Sequence, residues 1–281
     1  MRRGSGRRTI NGISVSSLLF LPLLWLPSAA GFVIARSVLA LALPRTASRH
    51  FHGTRAIMVE GHSVHRVAAA HRERLIGKRF KATSPNGRFA AGAAAIDGQT
   101  FQRIEAVGKN LFGFFGSANG PLAVVHVHFG MAGVWSVFDG RVEVVPPTTA
   151  TTRLCLEHPE SGLVSHLSAM TVQLGDESLY HTKKAALGQD PLRQDANPDL
   201  LFSKVRKSTK RIGELVMDQS FFCGPGNIYR AEILFKAGVH PNIPGRDITR
   251  ERFDLIWHHT VALLTRGFEC GRSPTASYEA Y

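Results

Sequence analysis

Along the chain, the hydrophobic pattern changes period twice. Between residues 60 and 76, Val64, Val67, Ala68, His71 and Leu75 recur three and four apart, which predicts one helix. From about Phe80 onward the period shortens to two, and Gly, Asn and Pro break the runs. This predicts strands near 78–83, 101–107, 111–115, 124–129, 134–138, 153–156, 163–165 and 171–174. Gly108-Lys109-Asn110 reads as the hairpin turn between the second and third of these. The alternation over 124–129 predicts a half-buried strand. A Pro- and Asx-rich connector, 188–198, ends the β pattern, and helical periods follow at 200–207, 210–218, 227–236 and 249–266. The class is therefore α+β: a leading helix with a strand-rich domain (58–188), a linker (189–198) and a helical domain (199–281).

Residues 1–57 follow neither pattern. They hold eight Arg and no Lys, Asp or Glu. A basic start (Arg2, Arg3, Arg7, Arg8), an apolar run over 18–26 and small residues at 27–31 have the layout of a secretory signal. The following stretch, with Arg36, Arg45, Arg49 and Arg55 among Ser and Thr, looks like an organelle transit sequence. Together they predict a targeting leader, to a plastid through a bipartite signal or to a mitochondrion. A nuclear location follows instead if Met58 is the true start. A permanent span is the poorer reading, because Pro22 and Pro27 interrupt the run and Arg36 ends it.

Removing the leader changes the charge argument. Of the formal +13, the remaining 224 residues hold 26 Lys+Arg against 21 Asp+Glu. That body charge of +5 is compatible with a polyanionic partner without requiring one. Cys155, Cys223 and Cys270 are far apart and form neither a disulfide framework nor a zinc ribbon. His62/His65 and His126/His128 have metal-like spacing. With no third ligand in register, a polar helix or strand face is the better reading of each.

The strongest chemistry lies at Val59-Glu60, if Val59 becomes the first residue of the mature chain. A free α-amino group has a pKa of about 7.7–8.0, so much of it is a neutral nucleophile at physiological pH. It can form a Schiff base with an aldehyde-like carbon, and the adjacent carboxyl of Glu60 can move the protons. Further on, the two glycines of Gly224-Pro225-Gly226-Asn227 allow close backbone approach. Asn227 then opens a helix whose N–H groups and dipole suit a phosphate; an ordinary Asx cap is the plain alternative.

Three motifs occur in order: Val59-Glu60-Gly61-His62; Gly108-Lys109 followed by His128-Phe129-Gly130-Met131; and Asp218-Gln219 followed by Gly224-Pro225-Gly226-Asn227-Ile228-Tyr229. Over residues 58–270 the chain resembles the formamidopyrimidine/endonuclease VIII family of DNA glycosylases, and the run 60–66 is closest to the endonuclease VIII branch. The resemblance implies a catalytic first helix, a β-sandwich and a helix–two-turn–helix domain, with DNA in the cleft between. It places Val59 as the nucleophile where the family carries proline, Glu60 as the proton carrier and Lys109 at the DNA phosphate. Met131 becomes a wedge filling the gap left by a flipped nucleotide, which suits an apolar side chain. Asn227 becomes a phosphate grip, with Lys210 and Arg211 (and Lys207) on the DNA face.

The implied activity is excision of oxidised bases, chiefly pyrimidines, followed by strand cleavage at the abasic site. Its partner is double-stranded DNA carrying an oxidised base or an abasic site. The protein is expected to be a monomer with no stable membrane partner and to need no cofactor. An oxidised-purine enzyme, or a relative that binds damaged DNA without cutting it, are the alternatives. Three departures favour the last: Val59 stands where the family carries proline, 165–170 lacks the family's Asp-x-Arg pattern, and through Tyr281 no C-terminal zinc or zincless finger follows.

Overall fold

The computed structural model describes residues 59–271. The predicted leader, and the last ten residues of the predicted helical domain, lie outside them. Helix α1 (Gly61–Leu75) is followed by β1 (Lys81–Thr83), α2 (Ala90–Ile96), β2 (Thr100–Val107), β3 (Asn110–Gly116), β4 (Ala123–His128), β5 (Val134–Asp139), β6 (Leu154–His158), β7 (Leu163–Ser168) and β8 (Thr171–Gly175). Helices α3 (Glu177–Ala186), α4 (Pro198–Arg206), α5 (Ile212–Leu215), α6 (Asn227–Lys236) and α7 (Arg250–Cys270) complete the described chain, with a 3-10 turn at Gly245–Asp247. Among the described residues no helix is long and apolar enough to cross a membrane.

The strands form two antiparallel four-stranded sheets, ordered β1-β6-β7-β5 and β2-β3-β4-β8. Their facing sides enclose Phe101, Leu111, Phe115, Val125, Val127, Trp135, Leu154, Leu156 and Leu167. Phe101 stacks on Phe115 at 4.4 Å between ring centres, filling the middle of this layer. Burial of this many large apolar side chains is the main favourable term for the sandwich.

The β2-β3-β4-β8 sheet is covered on its other face as well. Phe112, Phe114 and Val124 turn outward into a second layer with Tyr180 of α3 and Cys223. Tyr180 meets Phe112 and Phe114 edge-on, at 5.1 and 5.3 Å. This double burial is why 111–115 reads as an unbroken apolar run. It also corrects the half-buried strand expected at 124–129: four consecutive residues of β4, Val124–Val127, are buried.

Other expectations are corrected in detail. The helix predicted over 210–218 contracts to the four residues of α5, because Asp218 accepts from the backbone and hydroxyl of Ser220 and so builds a turn. Helices α2 and α3 carry no readable period. Helix α2 is mostly alanine, and α3 buries a single residue, Tyr180. The helical part has its own core of Leu201, Val205, Leu215, Phe222, Tyr229, Ile233, Phe253 and Leu264. Between the two cores lies α1, packed on β2 and β3 on one side and on α7 on the other.

Candidate active site

Glu60 ends the extended entry segment and is the N-cap of α1, with φ −115° and ψ 160°. Its backbone is fixed by Ser63, whose hydroxyl donates to the Glu60 carbonyl at 2.7 Å. The carboxylate turns inward and is 0% exposed. Lys109, at the tip of the β2–β3 hairpin, brings its Nζ to 3.0 Å from Glu60 Oε2. The Lys109 ammonium and the Gly226 backbone N–H both face this carboxylate. Burial pushes the Glu60 carboxyl above its ordinary range, while the Lys109 charge and the nearby Gly226 backbone pull it back. A carboxyl tuned upward in this way suits proton delivery near neutral pH. Val59, next in sequence, is half-buried against the sandwich core.

The loop before α6 closes over this pair. A Cβ on Gly226 would lie 2.5 Å from both Glu60 Oε2 and Lys109 Nζ, so only glycine leaves room for them. On the other side, the Gly61 N–H donates to the Gly224 carbonyl at 2.9 Å and ties the start of α1 to this loop. Gly226, not Asn227, is the N-cap of α6, and no side chain closes its first turn. The Asx cap is therefore not the role of Asn227, which is exposed and first in the helix. Its turn presents backbone donors beside the Glu60–Lys109 pair, an arrangement suited to an anion.

Gln219 is a residue of this site that sequence pattern alone does not single out. Its side chain accepts from the Gly224 N–H at 2.9 Å and donates to the Pro225 carbonyl at 2.8 Å, splinting the loop. The Asp218-Gln219 pair is a signal of sorts, but nothing in the sequence shows where an amide will reach.

The remaining expected residues sit elsewhere. Met131 is 70% exposed on the loop between β4 and β5. Beside it stands Met170, 62% exposed, which no sequence motif marks. The two border an apolar hollow of about 390 Å³ with Phe129, Arg153 and Ala169. Lys210 and Arg211 lie at the start of α5, paired with Asp218 (3.1 Å) and Glu214 (3.9 Å). Their described partners are these acids, not the Glu60–Lys109 cluster.

The two histidine pairs are resolved into separate environments. His62 is neither a ligand nor part of a polar helix face. It is buried, with Nδ1 2.8 Å from the Tyr229 hydroxyl, and burial together with Arg66 lowers its pKa to about 4. His65 reaches Asp190 of the connector at 2.8 Å. His126 is buried against Asn110 at 2.9 Å. Among the described residues no three His, Cys, Asp or Glu converge on a metal position.

This architecture, a β-sandwich and a helical domain meeting at an acid–lysine pair under a glycine loop, matches two family models. Residues 58–169 fit the formamidopyrimidine-DNA glycosylase N-terminal domain, and 187–279 fit the formamidopyrimidine-DNA glycosylase H2TH domain. "Endonuclease 8 1" of Mycobacterium tuberculosis is 38% identical over 217 residues, 76% of this chain and 79% of that protein. "Formamidopyrimidine-DNA glycosylase" of Bdellovibrio bacteriovorus is 29% identical over 164 residues, 56% of this chain and 58% of the relative. The chain belongs to the formamidopyrimidine-DNA glycosylase/endonuclease VIII family. Among solved structures, the Lactococcus lactis Fpg in complex with an abasic-site-containing DNA shares the fold, with a TM-score of 0.65 and 22% identity. That match covers 79% of this chain and 82% of that one.

Proposed function

We propose that this protein is a bifunctional DNA glycosylase and abasic-site lyase that removes oxidised bases from double-stranded DNA, with Val59 as the mature N-terminus. The observation that carries this reading is the fully buried Glu60 carboxyl, adjacent to Val59 and 3.0 Å from Lys109. In the proposed course, the Val59 amine attacks C1′ of the deoxyribose. The N–C1′ bond forms as the glycosidic bond breaks, and the base leaves with a proton. Glu60 delivers a proton to the ring oxygen as the sugar opens, giving an imine. The imine acidifies C2′; loss of that proton expels the 3′ phosphate, and water then releases the enzyme. Lys109 and the first turn of α6 hold the phosphates on either side, and Met131 fills the vacated stack. A preference for oxidised pyrimidines is supported by the stronger likeness to the mycobacterial endonuclease 8 than to the formamidopyrimidine relatives.

The test compares chains that begin at Val59 and at Met58, each given abasic-site duplex and borohydride. The Val59 chain should form a covalent adduct, and the Met58 chain should form little. Tight binding by the Val59 chain without adduct would replace this reading with that of a non-cutting binder. Faster excision of an oxidised purine than of an oxidised pyrimidine would overturn the preference.

A further inference from the structure

The connector between the two domains carries a buried charge that the proposed chemistry does not use. Asp190 is 3% exposed. Its Oδ2 accepts the Gly108 N–H at 2.6 Å and lies 2.8 Å from His65 Nε2, while Oδ1 accepts the Leu192 N–H at 3.0 Å. One carboxylate thus joins the hairpin tip, the catalytic helix α1 and the connector itself. A carboxylate taken out of water is tolerated only when its oxygens are satisfied, so its three partners must stay in place together. Gly108 is the residue immediately before Lys109, and it turns the chain at φ +56°.

The same connector is strapped to the loop over the site. The Gly188 N–H donates to the Gln219 carbonyl (2.8 Å), the Gln189 N–H to the Phe221 carbonyl (3.0 Å), and the Cys223 N–H back to the Gln189 carbonyl (2.9 Å). Cys223 precedes Gly224, whose carbonyl holds the Gly61 N–H. The contacts close a ring: α1, Asp190, the Lys109 hairpin, and the loop that opens α6.

We propose that Asp190 is a positioning residue, which aims Lys109 by gripping the backbone of Gly108 and makes that aim depend on the seating of the 224–226 loop. It never touches the reacting atoms. Displacement of a charged group by about 1 Å is enough to lose a large part of its effect. The inference rests on the proposed function only in that Lys109 meets DNA.

A double-mutant cycle tests it: wild type, Asp190→Asn, Lys109→Ala and the pair, each begun at Val59. Two quantities are read. One is affinity for a duplex carrying a tetrahydrofuran abasic analogue, which no imine can form on, and the other is the borohydride trapping rate on an abasic site. Asp190→Asn should weaken analogue binding and slow trapping by about tenfold each, yet change either by less than about twofold once Lys109 is alanine. The same loss in both backgrounds, or no loss in either, would overturn the proposal. If wild type binds the analogue without being trapped, the imine mechanism fails while the binding cycle still decides the role of Asp190. Should Asp190→Asn fold poorly, His65→Ala removes one of the three bonds and takes its place in the cycle. Its effect should be smaller, again confined to the background that keeps Lys109, and an equal loss in both backgrounds would again overturn the proposal.

Discussion

A carboxylate sealed from water works against the stability of the protein that holds it. The folded pKa of Glu60 lies above its unfolded value, so the folded state favours the protonated form. The ionised form therefore costs stability at every pH above the unfolded value, and the cost is relieved as pH falls. Glu60→Gln removes that cost. We expect its Tm at pH 7.5 to be no lower than that of the wild type, while the trapping rate on abasic DNA falls by about a hundredfold or more. A fall in both would mean that the carboxylate is mainly a structural partner of Lys109. At this scale much is legible in the chain. Val59-Glu60 and Gly108-Lys109 each stand out as motifs, but that Lys109 lies 3.0 Å from Glu60 is visible only once the hairpin is folded against α1. Asp190 is not legible, because an Asp in a Pro- and Asx-rich connector looks like any turn former.

Among the elements, the loop from Gln219 to Gly226 explains why its motif has that spacing. Asp218 shapes the turn, and Gln219 five residues before Gly224 reaches both that N–H and the Pro225 carbonyl. The next turn belongs to α6. Losing both bonds in Gln219→Ala should cost about 1–2 kcal/mol of loop order. Affinity for abasic-analogue duplex, measured by fluorescence anisotropy, should fall by about tenfold, with the helical domain still folded by circular dichroism. Unchanged affinity would show that the loop seats itself without the splint. The long, strongly periodic helices and most strands are readable from the chain. Helix α3 is not, since its role is to cover a sheet face whose existence only the strand pairing reveals.

At the scale of the whole fold, three buried histidines among the described residues make stability sensitive to acid. His62 joins α1 to α6, His71 packs edge-on against Trp135 at 4.8 Å, and His126 lies under the β3–β4 pair. Burial lowers each pKa to about 4, from an ordinary value near 6.5. The sign follows directly. Their neutral forms cost nothing above about 6.5, and stability drains away as pH falls from there toward 4, because only the unfolded chain can take the proton freely. The loss should reach about 2 kcal/mol per histidine by pH 5. Urea midpoints at pH 7.5 and 5.0 measure it, and His71→Leu should shrink the difference by about one histidine's share. An equal difference in the variant would place the acid sensitivity elsewhere.

By itself the sequence determined the two-part order of strands and helices and the short motifs whose residue types are chemically unusual. Those are local properties, written in period and composition. Only the tertiary structure decided that the sheet over the site is buried on both faces, that His62 and His65 serve different neighbours, and that a connector aspartate joins α1 to the lysine hairpin. Each depends on which distant segments meet, and burial is what turns an ordinary carboxylate or imidazole into a perturbed one.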